Sequence, residues 1–573
     1  MRPLLKPTLM LIAGFLAAIV GWMPAWAAPR SGQAAPMIAA VGIDGITYEL
    51  ASLKHRPMVV LYFFDAGSPS SRAGLERLDK IARRFKAADL AVWGITRSPR
   101  DAAASFAAAG GIGFPILLDT GGISDQYNAR LILPTVYILG PELTVLDYFQ
   151  GGGKSTEVML VRLAERSLQR KETALAKAIS GEVVDRNPRN VDARSVQAYA
   201  AVQEGDLKSA EKISKEITAI PGEGEILGKE VQAVVYVKTG RTDQAAALAR
   251  ELEKKAPDRV QPQMIQGDIL YARNEKKAAE KRYRKAAAGT GGSVIQKAQA
   301  RNQLGRFYAS LGDYKAARGL YDQAVEIDPY YVEATANKGV TYEKEGRWDQ
   351  ALASYRKSLS LDRNDMIASV LARKAEEMVA LQKDRSARAR IDKLVKTLAD
   401  RYRQQKQAGV GGPEDSWTSR PMILTFVDFQ EKGGLSARDG LSTALAVQLA
   451  DRLNASGRVS VVERAILERL LEELNLGSSE LADPGTALRL GKVLAAKLIG
   501  TGSLYFMPDG TLLNMRLIDT ETSAVPRVIT RQMTAGASMA GELNRLNREI
   551  LQTVIEKYPL QGYIVEVDGD RVL

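Results

Sequence analysis

Few residues of this chain have side chains suited to catalysis. The sequence has no cysteine and a single histidine, His55, which excludes thiolate chemistry and cysteine metal sites. Ser68 and Ser71 stand between an apolar run and a helical pattern, in the string Gly67-Ser68-Pro69-Ser70-Ser71. Serines at such a position typically cap a helix, whereas a serine nucleophile needs a base beside it. Nothing in the sequence brings His55 to Ser68, so we interpret both serines as N-cap residues.

A second candidate motif is the string Gly151-Gly152-Gly153-Lys154-Ser155-Thr156. A phosphate-binding loop of the form G-x-x-x-x-G-K-[ST] also needs glycine at the position that Tyr148 holds. Without that glycine the loop cannot wrap around a phosphate chain, and the glycines are better interpreted as a turn between a strand and a helix. We therefore predict no nucleotide, no other cofactor and no metal site.

The elements that position these motifs belong to an α/β segment from 36 to 156. The apolar run 57–64 predicts a central strand buried on both faces. The spacing of apolar residues at 75–85 predicts a helix, and 90–95 predicts a further strand. Segments 133–139 and 143–149 predict an antiparallel pair around a Gly-Pro-Glu turn.

The same segment resembles the thioredoxin-like family of periplasmic reductases and peroxiredoxin relatives (TlpA and AhpC/TSA types). The resemblance is carried by the serine string, by Phe114-Pro115 with Asp119, and by Leu133-Pro134-Thr135. It implies a cis-proline loop at Pro134 and a redox motif whose two cysteines are replaced by Ser68 and Ser71. Thiol–disulfide exchange needs two sulfur atoms, so the domain is predicted to be redox-inactive. Pro134 and Thr135 then form a candidate peptide-binding loop, and the alternative is a purely structural module.

Helical repeats are predicted from 157 to 403. The anchor Gly312-x4-Ala317 recurs at Gly346-x4-Ala351, a spacing of 34 residues, and repeats begin at 191, 226, 260, 298 and 332. This period and these anchors are those of the tetratricopeptide repeat (TPR). The resemblance implies a solenoid whose concave face binds peptides or partner domains. Asn302, Arg306 and Glu343 are candidates for that face, and simple solvation is the alternative.

A linker at 404–419 precedes a second α/β segment, 420–540, which resembles the curli-secretion (CsgG-like) family. The residues that carry this resemblance are Val427-Asp428-Phe429, Val461-Val462-Glu463-Arg464, Leu490-Gly491-Lys492 and Gly502-Ser503. Secretion channels of that family add membrane-spanning hairpins, whereas Pro508-Asp509-Gly510 closes the corresponding hairpin directly. Arg464 is predicted to pair with a nearby carboxylate. The remainder, 541–573, predicts a helix and the start of a small β-module.

The first residues have the pattern of a Sec-type signal peptide. Arg2 and Lys6 precede an apolar run at 8–23, and Ala25-Trp26-Ala27 supplies a cleavage pattern. We predict removal of residues 1–27, export to the periplasm, no integral membrane span in the mature form, and at most a peripheral association with the outer membrane. The net charge of +12 is spread among alternating acidic and basic residues, which is typical of solvated helices and excludes nucleic acid as a partner.

Together these patterns predict a multidomain chain of α/β and α parts: a thioredoxin-like domain, a TPR solenoid and a CsgG-like domain. The predicted function is a non-enzymatic scaffold that binds proteins or peptides of the cell envelope and docks to an envelope assembly or export system. Two alternatives remain open at this point. One is an outer-membrane secretion component of the curli type. The other is an enzyme, either a thioredoxin-like protein acting with a partner's thiols or a serine hydrolase.

Overall fold

The computed structural model describes residues 28–86, 89–151, 154–405, 422–436, 438–507, 510–534, 539–559, 567–568 and 571–572. The predicted signal peptide at 1–27 lies outside the described residues, and so does most of the predicted linker, from 406 to 419. Within the described part of the chain, none of the helices combines the length and the hydropathy that a membrane crossing requires.

The N-terminal domain is built on a five-stranded sheet with the strand order β5-β4-β3-β6-β7. Strands β3, β4 and β5 are parallel, and β6 and β7 are antiparallel additions. This confirms the predicted α/β alternation. The elements are β1 (Ala39–Val41), β2 (Thr47–Glu49), β3 (Met58–Phe64), α1 (Pro69–Arg84), β4 (Leu90–Thr96), α2 (Arg100–Gly110), β5 (Ile116–Leu118), α3 (Ile123–Gln126), β6 (Thr135–Leu139) and β7 (Val145–Gln150).

The sheet is apolar on both faces because every residue of β3 is buried. One face packs under α1 and α2. That core also takes in Met159, Leu160 and Leu163 from the next helix, α4 (Lys154–Gln169). Helix α4 therefore completes the sheet domain and also begins the helical array. The predicted boundary at 156 falls inside the first turn of this helix.

From α4 onward the chain forms seven consecutive helix pairs, which confirms the predicted run of repeats. Predicted repeat starts at 191, 260 and 332 coincide with the first residues of α6, α10 and α14. After α4 the array comprises α5 (Thr173–Val184), α6 (Val191–Glu204), α7 (Leu207–Thr218), α8 (Glu223–Lys238), α9 (Thr242–Lys255), α10 (Val260–Ala272), α11 (Lys276–Ala288), α12 (Val294–Ser310), α13 (Tyr314–Ile327), α14 (Val332–Lys344), α15 (Trp348–Leu361), α16 (Met366–Lys383) and α17 (Arg385–Gln405).

Within three repeats, the two helices approach closely at a glycine that faces a tyrosine. A Cβ atom at Gly305 would lie 2.6 Å from the ring of Tyr321, and one at Gly339 would lie 2.5 Å from the ring of Tyr355. Gly267 makes the same approach to a tyrosine ring one repeat earlier, at 2.5 Å. At these positions the absence of a side chain allows the aromatic ring of the second helix to lie against the first helix.

The C-terminal domain is a six-stranded mixed sheet with the path β10-β8-β11-β12-β13, and β9 lies beside β11. The strands and helices confirm the predicted α/β character of this segment. The elements are β8 (Met422–Phe426), β9 (Gln430–Gly433), α18 (Leu441–Asn454), β10 (Val459–Val461), α19 (Arg464–Leu474), α20 (Ser478–Leu481), α21 (Pro484–Val493), β11 (Leu498–Met507), β12 (Gly510–Asp519), β13 (Arg527–Thr534) and α22 (Met539–Lys557), followed by the antiparallel pair β14 (Val567–Asp568) and β15 (Arg571–Val572).

Both end domains share apolar cores with the helical array. On the N-terminal side, Leu146 of the sheet domain clusters with Tyr330, Val332 and Leu361 of the array. On the C-terminal side, helix α17 packs against α19 and α21 of the sheet domain. That shared core contains Val395, Leu398, Ala399 and Tyr402 of α17 and Leu467, Leu470, Ala487 and Leu490 of the domain. Each sheet domain thus shares a core with helices of the array.

Candidate functional site

The serine string lies at the start of α1, where the thioredoxin-like fold carries its redox motif. Ser68 has extended backbone geometry and is the N-cap of α1, and its Oγ accepts a long hydrogen bond of 3.5 Å from the backbone N–H of Ser71. The N-cap interpretation is confirmed for Ser68. It is wrong for Ser71, which lies inside the first turn of α1 and is fully buried. Among the described residues, the Oγ of Ser71 has no hydrogen-bond partner.

The histidine lies far from these serines. His55 precedes β3 and Ser68 follows it, so the seven residues of that strand separate them by roughly 20 Å. The imidazole Nδ1 lies 3.5 Å from a carboxylate oxygen of Glu142. Both residues lie at the end of the sheet that is opposite to the serines. A hydrolytic pair of Ser68 and His55 is therefore excluded by the geometry of the sheet.

The proline loop lies beside the C-terminal end of β3, because Thr135 pairs with Phe63. The peptide bond between Leu133 and Pro134 is cis, which confirms the cis-proline loop. Pro134 and Thr135 are both buried, and the Thr135 hydroxyl donates to the carbonyl of Ile132 at 2.6 Å. The side chains that this loop does present to solvent are Leu131 and Ile132, which are 90% and 48% exposed. Sequence reasoning missed these two, although an apolar Leu-Ile pair before the proline was the available signal.

The sulfur-free motif makes a substitution experiment informative. Replacing both Ser68 and Ser71 with cysteine should produce an oxidisable pair at a helix N-terminus, where thiol pKa values are lowered. We expect the double variant to form an intramolecular disulfide and to reduce insulin with dithiothreitol as the electron source, while the parent protein stays inactive. Each single variant is the matched control and should remain inactive, because one thiol cannot resolve the mixed disulfide. An inactive double variant would contradict the assignment of this site.

The three residues predicted on the concave face are buried side chains. Asn302, Arg306 and Glu343 are 0%, 3% and 8% exposed, so simple solvation, the alternative stated for them, is not what the structure shows. What covers this region is a loop of the C-terminal domain between β9 and α18. We call residues 434–436 and 438–440 the docked loop.

Arg306 and the asparagines hold the docked loop by its carboxylate and its backbone. The guanidinium of Arg306 donates to Oδ1 of Asp439 from Nε at 2.8 Å and also from Nη2. The backbone N–H of Asp439 donates to Oδ1 of Asn337 at 2.8 Å, and the Nδ2 of Asn337 donates in turn to Asn302 at 2.9 Å. The two asparagines lie on the first helices of consecutive repeats, and their mutual hydrogen bond orients Asn337 toward the backbone of the loop.

Two further contacts anchor the ends of the docked loop. Leu435 packs on a cluster that includes Tyr283 and Phe307, and its carbonyl accepts from Gln303 Nε2 at 3.5 Å. At the other end, Arg438 forms an ion pair with Asp365 of the array. The loop therefore presents an aliphatic side chain and a carboxylate four positions apart.

Glu343 belongs to a neighbouring network of buried charges. Lys374 donates to Glu343 at 2.9 Å and lies 2.7 Å from Glu468, and Arg464 donates to Asp428 at 2.7 Å. This confirms that Arg464 pairs with a carboxylate. Burial pushes the pKa of Asp428 up, but the charges of Arg464, Lys374 and a neighbouring lysine outweigh it and hold that pKa below its usual value. The side chains of this network are charged, and their ion pairs join the array to the C-terminal domain.

Asp268, beside the docked loop, gives this region a pH dependence. Burial raises its pKa to about 6, against hydrogen bonds from Tyr283 and Gln303. A carboxyl whose pKa is higher in the folded than in the unfolded protein binds a proton on folding, so stability falls as the pH rises through about 4 to 6. Asp268→Asn removes this titration. In urea unfolding, we expect the variant to gain stability relative to the parent between pH 4 and pH 7.5, and an equal difference at both pH values would contradict the assignment.

The comparisons with known proteins follow the same three parts. The AhpC/TSA family model matches residues 31–147, tetratricopeptide repeat models match 231–293 and 296–364, and the model of the curli production assembly/transport component CsgG matches 414–506. The chain is therefore a multidomain protein with a thioredoxin-like domain, a TPR array and a CsgG-like domain, in that order. Because it contains no cysteine, its thioredoxin-like domain has no redox dithiol.

Solved structures similar to this chain cover about a quarter of it. A peroxidoxin of Mycobacterium tuberculosis is 22% identical over 26% of this chain and 98% of its own, with a TM-score of 0.22. The thioredoxin domain of a thiol-disulfide oxidoreductase from Bacteroides vulgatus is 17% identical over 23% of this chain and 97% of its own, with a TM-score of 0.21. A thiol:disulfide interchange protein from Chlorobium tepidum is 20% identical over 23% and 92%, with a TM-score of 0.20. No curated protein matches the chain.

Proposed function

We propose that this protein is an exported periplasmic scaffold, which binds envelope proteins and docks to an envelope assembly or export system through its CsgG-like domain. The observation that carries the proposal is that both end domains share cores with one helical array. Leu146 of the N-terminal domain packs against Val332 of α14 and Leu361 of α15, and α17 packs against α19 of the C-terminal domain. A scaffold needs recognition surfaces held at fixed separations, and shared cores supply that rigidity.

The thioredoxin-like domain supports a role in binding. It keeps the framework of the fold, including the cis proline, but has serine at both redox positions. The surface beside that proline is apolar, with Leu131 90% exposed. Large exposed aliphatic side chains beside a former substrate site favour contact with another protein.

The envelope assignment is supported by the two ends of the chain. The pattern at 1–27 is that of a secretory signal, and the match at 414–506 is to a curli production assembly/transport component. We place the protein in the periplasm, where it can associate with the outer membrane peripherally. The proposal keeps the domain limits predicted from the sequence, which are 36–156, 157–403 and 420–540.

The test is crosslinking in intact cells followed by purification of the tagged protein. We expect the mature protein, released by osmotic shock without detergent, to begin at Ala28 and to capture a defined set of envelope proteins. The double variant Leu131→Ser with Ile132→Ser should lose at least one of these partners. Leu311→Ser is the matched control, because Leu311 is 49% exposed on a loop of the array.

Two outcomes would contradict the scaffold. One is a cytoplasmic protein that retains residues 1–27. The other is a crosslinking profile that contains no envelope protein above the level of an untagged strain. Retention of every partner by the Leu131 and Ile132 variant would remove the thioredoxin-like surface from the proposal and leave the array as its binding part.

A further inference from the structure

The docked loop contacts the array as a bound peptide would, and not as part of a domain core. Its contacts with the array are made by the side chain and carbonyl of Leu435, by the ion-paired side chain of Arg438, and by the backbone N–H and side chain of Asp439, whose Oδ2 also accepts from the Tyr321 hydroxyl at 3.4 Å. Gly440 lies close to the side chains of Leu371 and Val340. A cavity of about 390 Å³ adjoins this contact and is lined by Leu435 and Asp439 of the loop together with Arg306. Close packing without gaps is the mark of a permanent core, and the junction lacks it at this cavity.

Arg306 is only partly satisfied by the loop. A single oxygen of Asp439, Oδ1, accepts from both Nε and Nη2. The third nitrogen, Nη1, is buried and has no hydrogen-bond partner among the described residues. A guanidinium binds a carboxylate best through two nitrogens and two oxygens. A second carboxylate, that of Glu431, lies 4.0 Å from Nη2, so Nη1 is the nitrogen that can still donate to a further acidic group.

The charges around the 390 Å³ cavity show which kind of occupant suits it. Its lining includes three basic side chains and three acidic ones, namely Arg306, Lys344, Lys432, Glu343, Glu431 and Asp439. When Asp439 leaves, positive charge exceeds negative charge, and Arg306 keeps only the 4.0 Å contact with Glu431 of β9. A buried charge that lacks a close partner is costly, so an occupant that brings a carboxylate is favoured in place of the loop.

The loop can leave without release of the whole C-terminal domain. The domain is held by the apolar core between α17 and α19, which does not include the loop. Glycines with positive φ stand at both ends of the loop, Gly433 at +84° and Gly440 at +81°. Such residues are the usual places where a loop changes direction, because other residues are strained there.

We propose that the inner face of helices α12 to α16 is a recognition site for an extended acidic segment of a partner protein, with an aliphatic residue four positions before an aspartate. The docked loop occupies this site in cis until such a segment displaces it. This inference rests on the proposed scaffold function and assigns the class of partner that the array binds. The apparent affinity for the partner is then reduced by the fraction of molecules in which the loop is docked.

The test uses a fluorescent synthetic peptide with the sequence of residues 429–443 and the chain without residues 1–27. We expect Asp439→Asn, which weakens the docked loop, to bind the peptide at least tenfold more tightly than the parent protein. Adding Arg306→Met to this variant should abolish the gain. A peptide with asparagine in place of its aspartate should bind at least tenfold more weakly. The matched control is Asp451→Asn, because Asp451 forms an exposed ion pair with Arg373 of the array outside the groove.

The result that overturns the proposal is equal peptide affinity of Asp439→Asn and the parent protein, or binding that does not depend on Arg306. Circular dichroism and the unfolding midpoint report whether each variant is folded, and Leu435→Ser is a second variant that should raise peptide affinity. Failure of this test leaves captured envelope partners, and hence the scaffold, intact. Conversely, peptide binding without any envelope partner in cells would retain the groove and overturn the scaffold.

Discussion

Replacement of Arg166 by alanine should lower the free energy of unfolding by about 3–5 kcal/mol, the cost of leaving a buried charge without its partner. Arg166 is 2% exposed and joins the N-terminal sheet domain to the helical array. Its guanidinium donates to Asp147 of the sheet at 2.9 Å and to Asp328 of the array at 2.7 Å. Burial lowers the pKa of Arg166, but the two carboxylates outweigh it and raise that pKa, so the pair is held as ions.

The measurement is chemical unfolding of the purified protein, followed by circular dichroism and by protease susceptibility between the sheet domain and the array. Lys177→Ala is the matched control, because Lys177 pairs with Glu204 at the surface and is 47% exposed. Exposed pairs contribute about 0–1 kcal/mol. A loss of stability at Arg166 no larger than at Lys177 would show that the two domains are not fastened by this side chain.

Alanine at Gly339 should destabilise the array by about 1–3 kcal/mol, whereas alanine at Gly319 should stabilise it by about 1 kcal/mol. Both glycines lie within helices, and in both the new Cβ removes conformational freedom from the unfolded chain. At Gly339 the added carbon would lie 2.5 Å from the ring of Tyr355, while at Gly319 it would meet nothing within 4 Å. The two stability changes have opposite signs because only the Cβ added at Gly339 collides with a neighbouring side chain.

Thermal unfolding of the two variants side by side tests this pair. Tyr355 is fully buried and its hydroxyl donates to Glu343 at 2.9 Å, so the ring cannot withdraw without loss of that bond. A stabilising effect at both glycines would mean that the repeat tolerates a wider separation of its helices. The Gly305 position, at 2.6 Å from Tyr321, should respond like Gly339.

The three domains could be predicted from the sequence because each contains patterns formed by residues that are close together in the chain. The apolar run at 57–64 predicted β3, and the recurrence of Gly312-x4-Ala317 at Gly346-x4-Ala351 predicted the repeats with starts correct to a few residues. The cis proline followed from the Leu-Pro-Thr string by resemblance. Such features depend on neighbours in sequence, so periodicity and turn residues reveal them.

The candidate site was predictable only in part, because its key contacts join distant segments. Arg306 was singled out on the concave face, but its partner Asp439 lies 133 residues away, and no periodic pattern connects them. The error at Ser71 has a similar origin. Composition allows a cap at either serine, and only the backbone shows that Ser68 has the extended geometry of an N-cap.

Helix α4 belongs to two cores at once, since Met159 and Leu163 pack under the sheet while Arg166 pairs with Asp328 of a distant repeat. A linear stack of repeats normally frays from its ends, because a terminal repeat has only one neighbour. Here the first helix cannot fray without opening the sheet domain. The N-terminal end of the stack and the sheet are therefore expected to melt together, as one cooperative unit.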